Sequence, residues 1–192
     1  ERFRRQRQMC IRDRITGVGH YLPKRIVHNS EFEKTLNTSD EWIVTRSGIR
    51  QRHFSNKDET TSKMAIMAGQ QAIKNANLEA ADIDAIILAT STADFTFPSA
   101  ATMVQAGLGM KSGFAYDIQA VCAGFIYAMS TANAQIISGQ ANRILVIGSE
   151  TFSNLMDWND RSTCVLFGDG AGAVVLEAYS CSGEKAVSYT HL

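Results

Sequence analysis

The chemistry in this sequence gathers first around Cys122, in Gln119–Phe125 (QAVCAGF), where an apolar strand-like run gives way to a helix of small residues. A thiol at a helix N terminus faces free backbone N–H groups and the positive end of the helix dipole, a setting that favours thiolate. Ala123 and Gly124 leave room for a substrate to approach. The competing reading is packing, since most cysteines on apolar helices are inert core residues. The residues alone leave both open for Cys122. Cys164, between Thr163 and Val165 in a strand-like run, reads as core.

Trp42 and Arg46 lie four apart and share a face if their segment is helical. An indole can stack on a planar base, and a guanidinium can grip phosphate through two parallel hydrogen bonds. The alternative is a tryptophan in a helix–sheet seam beside a solvated arginine, which spacing alone favours. Gly168–Gly172 (GDGAG) has no Lys-Ser/Thr after it and is not a phosphate loop. Gly17-x-Gly19 follows a strand but has Leu22 where a dinucleotide fingerprint needs its third glycine. Both glycine pairs read as tight turns beside strands.

The elements that would position these residues alternate between strand and helix. Residues 15–20 read as a strand ended by Pro23, and Asn29 or Ser30 as the cap of a short helix carrying Phe32 and Leu36. Thr38–Glu41 offers a second cap before Trp42. Thr60 or Thr61 caps a long helix with an apolar stripe through Met64, Ala68 and Ala72. Residues 83–92 (IDAIILATST) form an isoleucine-rich run of the kind buried on both faces of a sheet. Pro98 is expected to open a helix that stops near Gly107 and Gly109. Residues 114–119 and 143–149 read as strands, a helix runs from Cys122 to about Ser138, and 165–167 and 171–176 flank the GDGAG turn. The pattern is α/β, a mainly parallel mixed sheet with helices on both faces.

Composition narrows the class. The 192 residues are 45% hydrophobic and 20% charged, ordinary for a globular domain with a substantial core. No apolar run approaches the roughly 18 residues that suggest a membrane span, so a soluble, cytoplasmic protein without a membrane partner is expected. The cysteines at 10, 122, 164 and 181 form no C-x-x-C pair and read as free thiols, with no metal site. The formal net charge of zero hides an imbalance, since residues 1–14 hold six of nineteen basic residues and two of nineteen acidic ones. Residues 1–14 and 181–192 look like adaptor sequence and are set aside, leaving a domain over 15–180. A nucleic-acid partner would rest on residues 1–14 alone and is not expected.

Four strings carry a resemblance: Thr38–Arg50 (TSDEWIVTRSGIR), Phe97–Ala101 (FPSAA), Ala120–Phe125 (AVCAGF) and Phe167–Gly172 (FGDGAG). In this order and spacing they resemble the N-terminal half of the β-ketoacyl-[acyl-carrier-protein] synthase III family, over about residues 15–178. The resemblance implies a thiolase-like layered fold and a homodimer. It also implies a decarboxylative Claisen condensation of a short acyl-CoA with malonyl-acyl carrier protein, which starts fatty acid synthesis. Acyl-CoA is then a substrate, and no cofactor is implied. Cys122 would be the acyl-accepting nucleophile, with its own backbone N–H as an oxyanion donor. Thr38, Trp42, Arg46 and Arg161 would bind coenzyme A. Phe152 and Phe167 would line the acyl pocket, and Phe97 would reach into a partner subunit's pocket. The family's second step uses a His and an Asn of the C-terminal half, and none of the histidines at 20, 28, 53 and 191 matches. The 192 residues are therefore expected to be a fragment that is inactive alone. Another thiolase-fold acyl-condensing or ester-forming enzyme and a non-catalytic partner subunit are the alternatives.

Overall fold

A computed structural model describes residues 10–181, with the side chains of residues 12–179. Most of the two terminal stretches set aside as adaptor-like therefore lies outside the described residues. Residues 10–14 lie inside them, in a strand.

Among the described residues, seven strands form two sheets, accompanied by five α-helices. The strands are β1 (Cys10–Tyr21), β2 (Arg25–His28), β3 (Gln51–Phe54), β4 (Ala85–Ala89), β5 (Phe114–Ile118), β6 (Arg143–Thr151) and β7 (Asp169–Cys181). The helices are α1 (Asn29–Phe32), α2 (Asp40–Ser47), α3 (Thr61–Asn75), α4 (Ala100–Gly107) and α5 (Gly124–Ile137). The main sheet runs β1-β7-β6-β4-β5, and β2 and β3 form a separate antiparallel hairpin. β4 is parallel to both β5 and β6, whereas β7 is antiparallel to both β6 and β1. The parallel strands are those joined through α4 and α5, because a parallel return needs a crossover of a dozen or more residues.

The isoleucine-rich runs are buried on both faces, as their composition requires. Along β4 and β6, Ile86, Leu88, Leu145 and Ile147 face α3 and α4, while Ala85, Ile87, Ile144 and Val146 face α5. This alternation is the period-two consequence of the pleat. A third cluster joins Val27, Phe32, Ile43, Phe54, Cys164 and Val165 beneath the hairpin.

Several local expectations are corrected. Gly17 and Gly19 do not make a turn; they lie within β1, directly under α3. A Cβ on Gly17 would come 2.1 Å from the Ala72 carbonyl oxygen, and one on Gly19 2.1 Å from that of Ala68. Glycine is there so that helix and strand can touch backbone to backbone. Gly168–Gly172 is not a tight turn either, since Asp169 begins β7. Residues 165 and 166 end a turn and 167 lies in the loop after it, so the segment is not a strand. The first short helix starts at Asn29, with His28 in the N-cap position but making no side-chain cap, and ends at Phe32, which leaves Leu36 beyond it. α4 begins at Ala100 with Ser99 as its cap, so Pro98 precedes it. Two carboxylates from distant segments add to helix starts. Asp117 accepts from the Ala100 and Ala101 N–H groups at 2.8 and 2.7 Å, and Asp94 accepts from the Ser62 N–H at the start of α3.

Candidate active site

Cys122 lies at the end of the sheet where β4, β5 and β6 all finish. Ala89 pairs with Ile118 of β5 on one side and with Gly148 of β6 on the other. Four residues beyond Ile118 the chain reaches Cys122; four beyond Gly148 it reaches Phe152. Both therefore follow the carboxyl ends of parallel strands, β5 and β6, that lie two strand spacings or about 10 Å apart in the sheet. That end of an open α/β sheet is the usual place for a ligand site.

The turn that presents Cys122 is unusual. Val121 has φ 46°, a left-handed conformation. For a β-branched residue this is a strained backbone, and such strain tends to mark functional sites. A single 3₁₀ turn, Val121–Ala123, follows, and α5 begins at Gly124, two residues later than the sequence suggests. Gly124 is tight against β4, where an added Cβ would come 3.2 Å from the Ala89 Cβ. The thiol of Cys122 is exposed, while Cys164 is fully buried. Burial, with help from the nearby Asp160 charge, pushes the Cys164 thiol above its ordinary range, against a smaller opposing effect of Arg52. Cys164 is thus a core residue, and of these two thiols Cys122 is the one open to solvent.

Glu150, near the end of β6, ties the same sheet end together. Its carboxylate accepts from the Ser91 N–H at 2.8 Å and from the Thr92 hydroxyl, while the Thr92 hydroxyl oxygen accepts from the Thr151 N–H at 2.9 Å. The segment after β4 is thereby pinned to β6. Further along that segment, Phe97 is 84% exposed.

A second group of predicted residues assembles around α2. Ser39 caps the helix by accepting from the Trp42 N–H at 3.1 Å. The half-buried Trp42 ring meets the Arg46 guanidinium at 4.4 Å and the Arg161 guanidinium at 4.8 Å. Arg161 also donates to the Asn37 carbonyl. The neighbouring Thr38 hydroxyl is buried and has no hydrogen-bond partner. An indole flanked by two guanidiniums suits a flat, polar, anionic ligand. Stacking a ring on each side needs roughly 7 Å between the outer groups, twice a van der Waals contact, so Arg161 would have to swing away from Trp42 to admit one.

Phe152 and Phe167 stack with centroids 4.6 Å apart and an interplanar angle of 30°. Sequence reasoning missed what holds that pair. Arg52, a buried cation, donates to the Val165 carbonyl at 2.6 Å and to Asn29 Oδ1 at 2.7 Å. Burial lowers its pKa, partly opposed by Cys164. Asp169 gathers donors from two distant segments, Ser55 and Ser153. The signal for Asp169 was present in the GDGAG string, but its partners are far away in sequence. A cleft of about 1000 Å³, lined by Thr60, Ile66, Asp94, Phe95, Met103 and Leu155 among others, does not include Cys122. Among the described residues no group of His, Cys, Asp and Glu could hold a metal ion, and no helix is long and apolar enough to cross a membrane.

A strained turn that offers an exposed cysteine at the carboxyl end of this layered sheet defines a thiolase-like domain. Comparison with solved structures agrees. A 3-oxoacyl-[acyl-carrier-protein] synthase III from Aquifex aeolicus superposes with a TM-score of 0.85 at 50% identity, covering 90% of this chain and 55% of that one. A priming β-ketosynthase from a polyketide biosynthetic pathway superposes with a TM-score of 0.85 at 36% identity, covering 89% and 51%. The family model of 3-oxoacyl-[acyl-carrier-protein (ACP)] synthase III matches residues 116–191. The β-ketoacyl-[acyl-carrier-protein] synthase III of Roseobacter denitrificans is 67% identical over 178 residues, 93% of this chain and 55% of that protein. The chain belongs to the 3-oxoacyl-[acyl-carrier-protein] synthase III family, and it spans about half the length of the curated relatives it matches.

Proposed function

We propose that this chain is the nucleophile-bearing half of an acyltransferase that condenses a short acyl-CoA with malonyl-acyl carrier protein, and that Cys122 receives the acyl group. The observation that carries the reading is the exposed thiol of Cys122 behind the strained Val121, at the carboxyl end of the parallel strands. In the first step the Cys122 sulfur attacks the thioester carbonyl carbon of acyl-CoA. The bond from that carbon to the coenzyme A sulfur breaks, and the proton of the Cys122 thiol ends on the departing coenzyme A thiol. Exchange of one thioester for another is nearly isoenergetic, so the protein's task is nucleophile placement and stabilisation of the transient oxyanion. A first-turn N–H such as that of Cys122 has no preceding turn to receive it and is suited to face that oxygen.

Trp42, Arg46, Arg161 and the unpartnered Thr38 hydroxyl form the coenzyme A subsite. The indole and guanidinium planes take the base, and the positive charge takes the phosphates. Phe152 and Phe167 line the acyl pocket, and the protruding Phe97 is the residue that enters the pocket of a second subunit in a homodimer. The condensation step proper requires groups to stabilise the enolate formed by decarboxylation, and these lie in the part of the family's length beyond this chain. The enzyme acts in the cytoplasm.

The test is acetyl transfer from acetyl-CoA in the full-length protein. Cys122→Ser is expected to abolish it, because a serine hydroxyl near neutral pH lacks the thiolate's nucleophilicity. Cys164→Ser is expected to keep transfer and lose only stability. Equal loss of transfer in both variants would remove the assignment.

A further inference from the structure

The stacked pair Phe152 and Phe167 is held from behind by one buried carboxylate. Asp169 is 5% exposed and stands at the first position of β7, paired across the ladder with Thr151. Its Oδ1 accepts from the Ser153 N–H at 2.8 Å. Its Oδ2 accepts from the Ser153 hydroxyl at 2.6 Å and from the Ser55 N–H and hydroxyl, both at 2.7 Å. Four donors from two distant segments converge on a single side chain with no cation among them.

The placement of those donors matters more than their number. Ser153 directly follows Phe152, and Asp169 stands two residues after Phe167, so the carboxylate joins the two backbone segments that carry the rings. Ser55, just beyond β3, fixes the junction to the hairpin. Arg52 of β3 holds the intervening turn at the Val165 carbonyl. Gly168 completes the contact, because a Cβ there would come 3.1 Å from the Arg52 Cβ. A hydrogen-bonded frame of this kind fixes ring position more tightly than apolar contact alone, since rings slide and carboxylate–donor geometry does not.

We propose that Asp169 is a positioning residue that sets the wall of the acyl pocket, and so the length of acyl chain that reaches Cys122. The proposal rests on the reading of Phe152 and Phe167 as pocket lining. Asp169 touches neither substrate nor thiol; it acts through the two rings. Asparagine has the same shape but cannot replace it, because its NH₂ must face either the Ser153 N–H or the three donors at Oδ2, leaving a buried donor opposed by another donor.

The experiment measures alkylation of Cys122 in the full-length protein by iodoacetamide and by N-hexyl-iodoacetamide, read peptide by peptide with mass spectrometry. In each reaction the sulfur bonds to the methylene carbon, iodide leaves, and the thiol proton passes to solvent. The readout is the ratio of the long-chain to the short-chain rate, with melting temperature recorded beside it. Phe167→Ala and Asp169→Asn are both expected to raise the ratio by about 10-fold, the lower end of the scale on which pocket contacts discriminate chain length. Ser153→Ala, which removes one donor, is expected to raise it less. A purely structural role would lower the melting temperature of Asp169→Asn and leave the ratio alone. If Phe167→Ala shifts the ratio and neither Asp169→Asn nor Ser153→Ala does, the positioning role is overturned and the pocket stands. If Phe167→Ala has no effect, the pocket reading fails and the proposal with it. Should Asp169→Asn not fold, the ratio in Ser153→Ala decides.

Discussion

On one face of the main sheet, α3 and α4 cover Ile86, Leu88, Leu145 and Ile147 completely, and Gly17 and Gly19 let α3 descend onto β1. On the other face α5 lies alone over Ile87, Ile144 and Val146, and it keeps an apolar outer flank in which Ile126 is 60% and Ile137 55% exposed. The two helices are similar in length and both are rich in alanine. They differ in what surrounds them. α3 is amphipathic; α5 is apolar on a side that nothing among the described residues covers, and Cys122 lies in the turn just before its N terminus. Backbone-tight packing belongs to the face away from Cys122. The proposed nucleophile lies beside the helix with the exposed apolar flank.

The contrast can be tested first where packing is tightest. Gly19→Val should cost about 3 kcal/mol or more, because the new Cβ meets the backbone of Ala68 and Ala72 and no side chain can yield. Gly172→Ala, in the same sheet but with nothing within 4 Å of an added Cβ, should fall within about 1 kcal/mol of the parent. Thermal or denaturant unfolding of the two variants measures the difference, and equal costs would break the claim that glycine is demanded by the approach of α3.

Next in size is the ligand subsite. Trp42→Ala should weaken coenzyme A binding by about 1–2 kcal/mol, the range for stacking and cation–π contacts in partly desolvated sites. Calorimetric titration beside a melting curve separates this from a core role, which would lower the melting temperature and leave binding per folded molecule unchanged. The smallest effect belongs to the open flank. Ile126→Ser together with Ile137→Ser should change the chain's unfolding free energy by less than about 1 kcal/mol, while reducing binding of a hydrophobic dye. A large loss of stability would show that this flank is already packed.

How much of this was visible in the sequence depends on the range of the interaction. The apolar runs of β4 and β6, the stripe of α3 and the small-residue start of α5 show local periodicity, and the structure places them where that periodicity points. The position of Cys122 was legible for the same reason. The segment at 165–167 was not, because three apolar residues look like a strand until Arg52 and Asp169 bend them from more than a hundred residues away in the case of Arg52. Asp94 and Asp117 cap helices from outside their own segments, so no cap rule applied to neighbouring residues could find them. The glycines of β1 look like turn glycines in the sequence, since only the path of α3 shows that they serve contact. Nothing in the letters Ala-Val-Cys signals a left-handed valine.

The most direct test of the account is to map the acyl group itself. Full-length protein incubated with acetyl-CoA, digested and analysed by mass spectrometry should carry acetyl on the peptide containing Cys122. That adduct should be removed by hydroxylamine, as a thioester is, and should be absent from Cys122→Ser. Acetyl found only on Cys164 or on lysines, with Cys122 unmodified, would contradict the assignment of the open face as the site of chemistry.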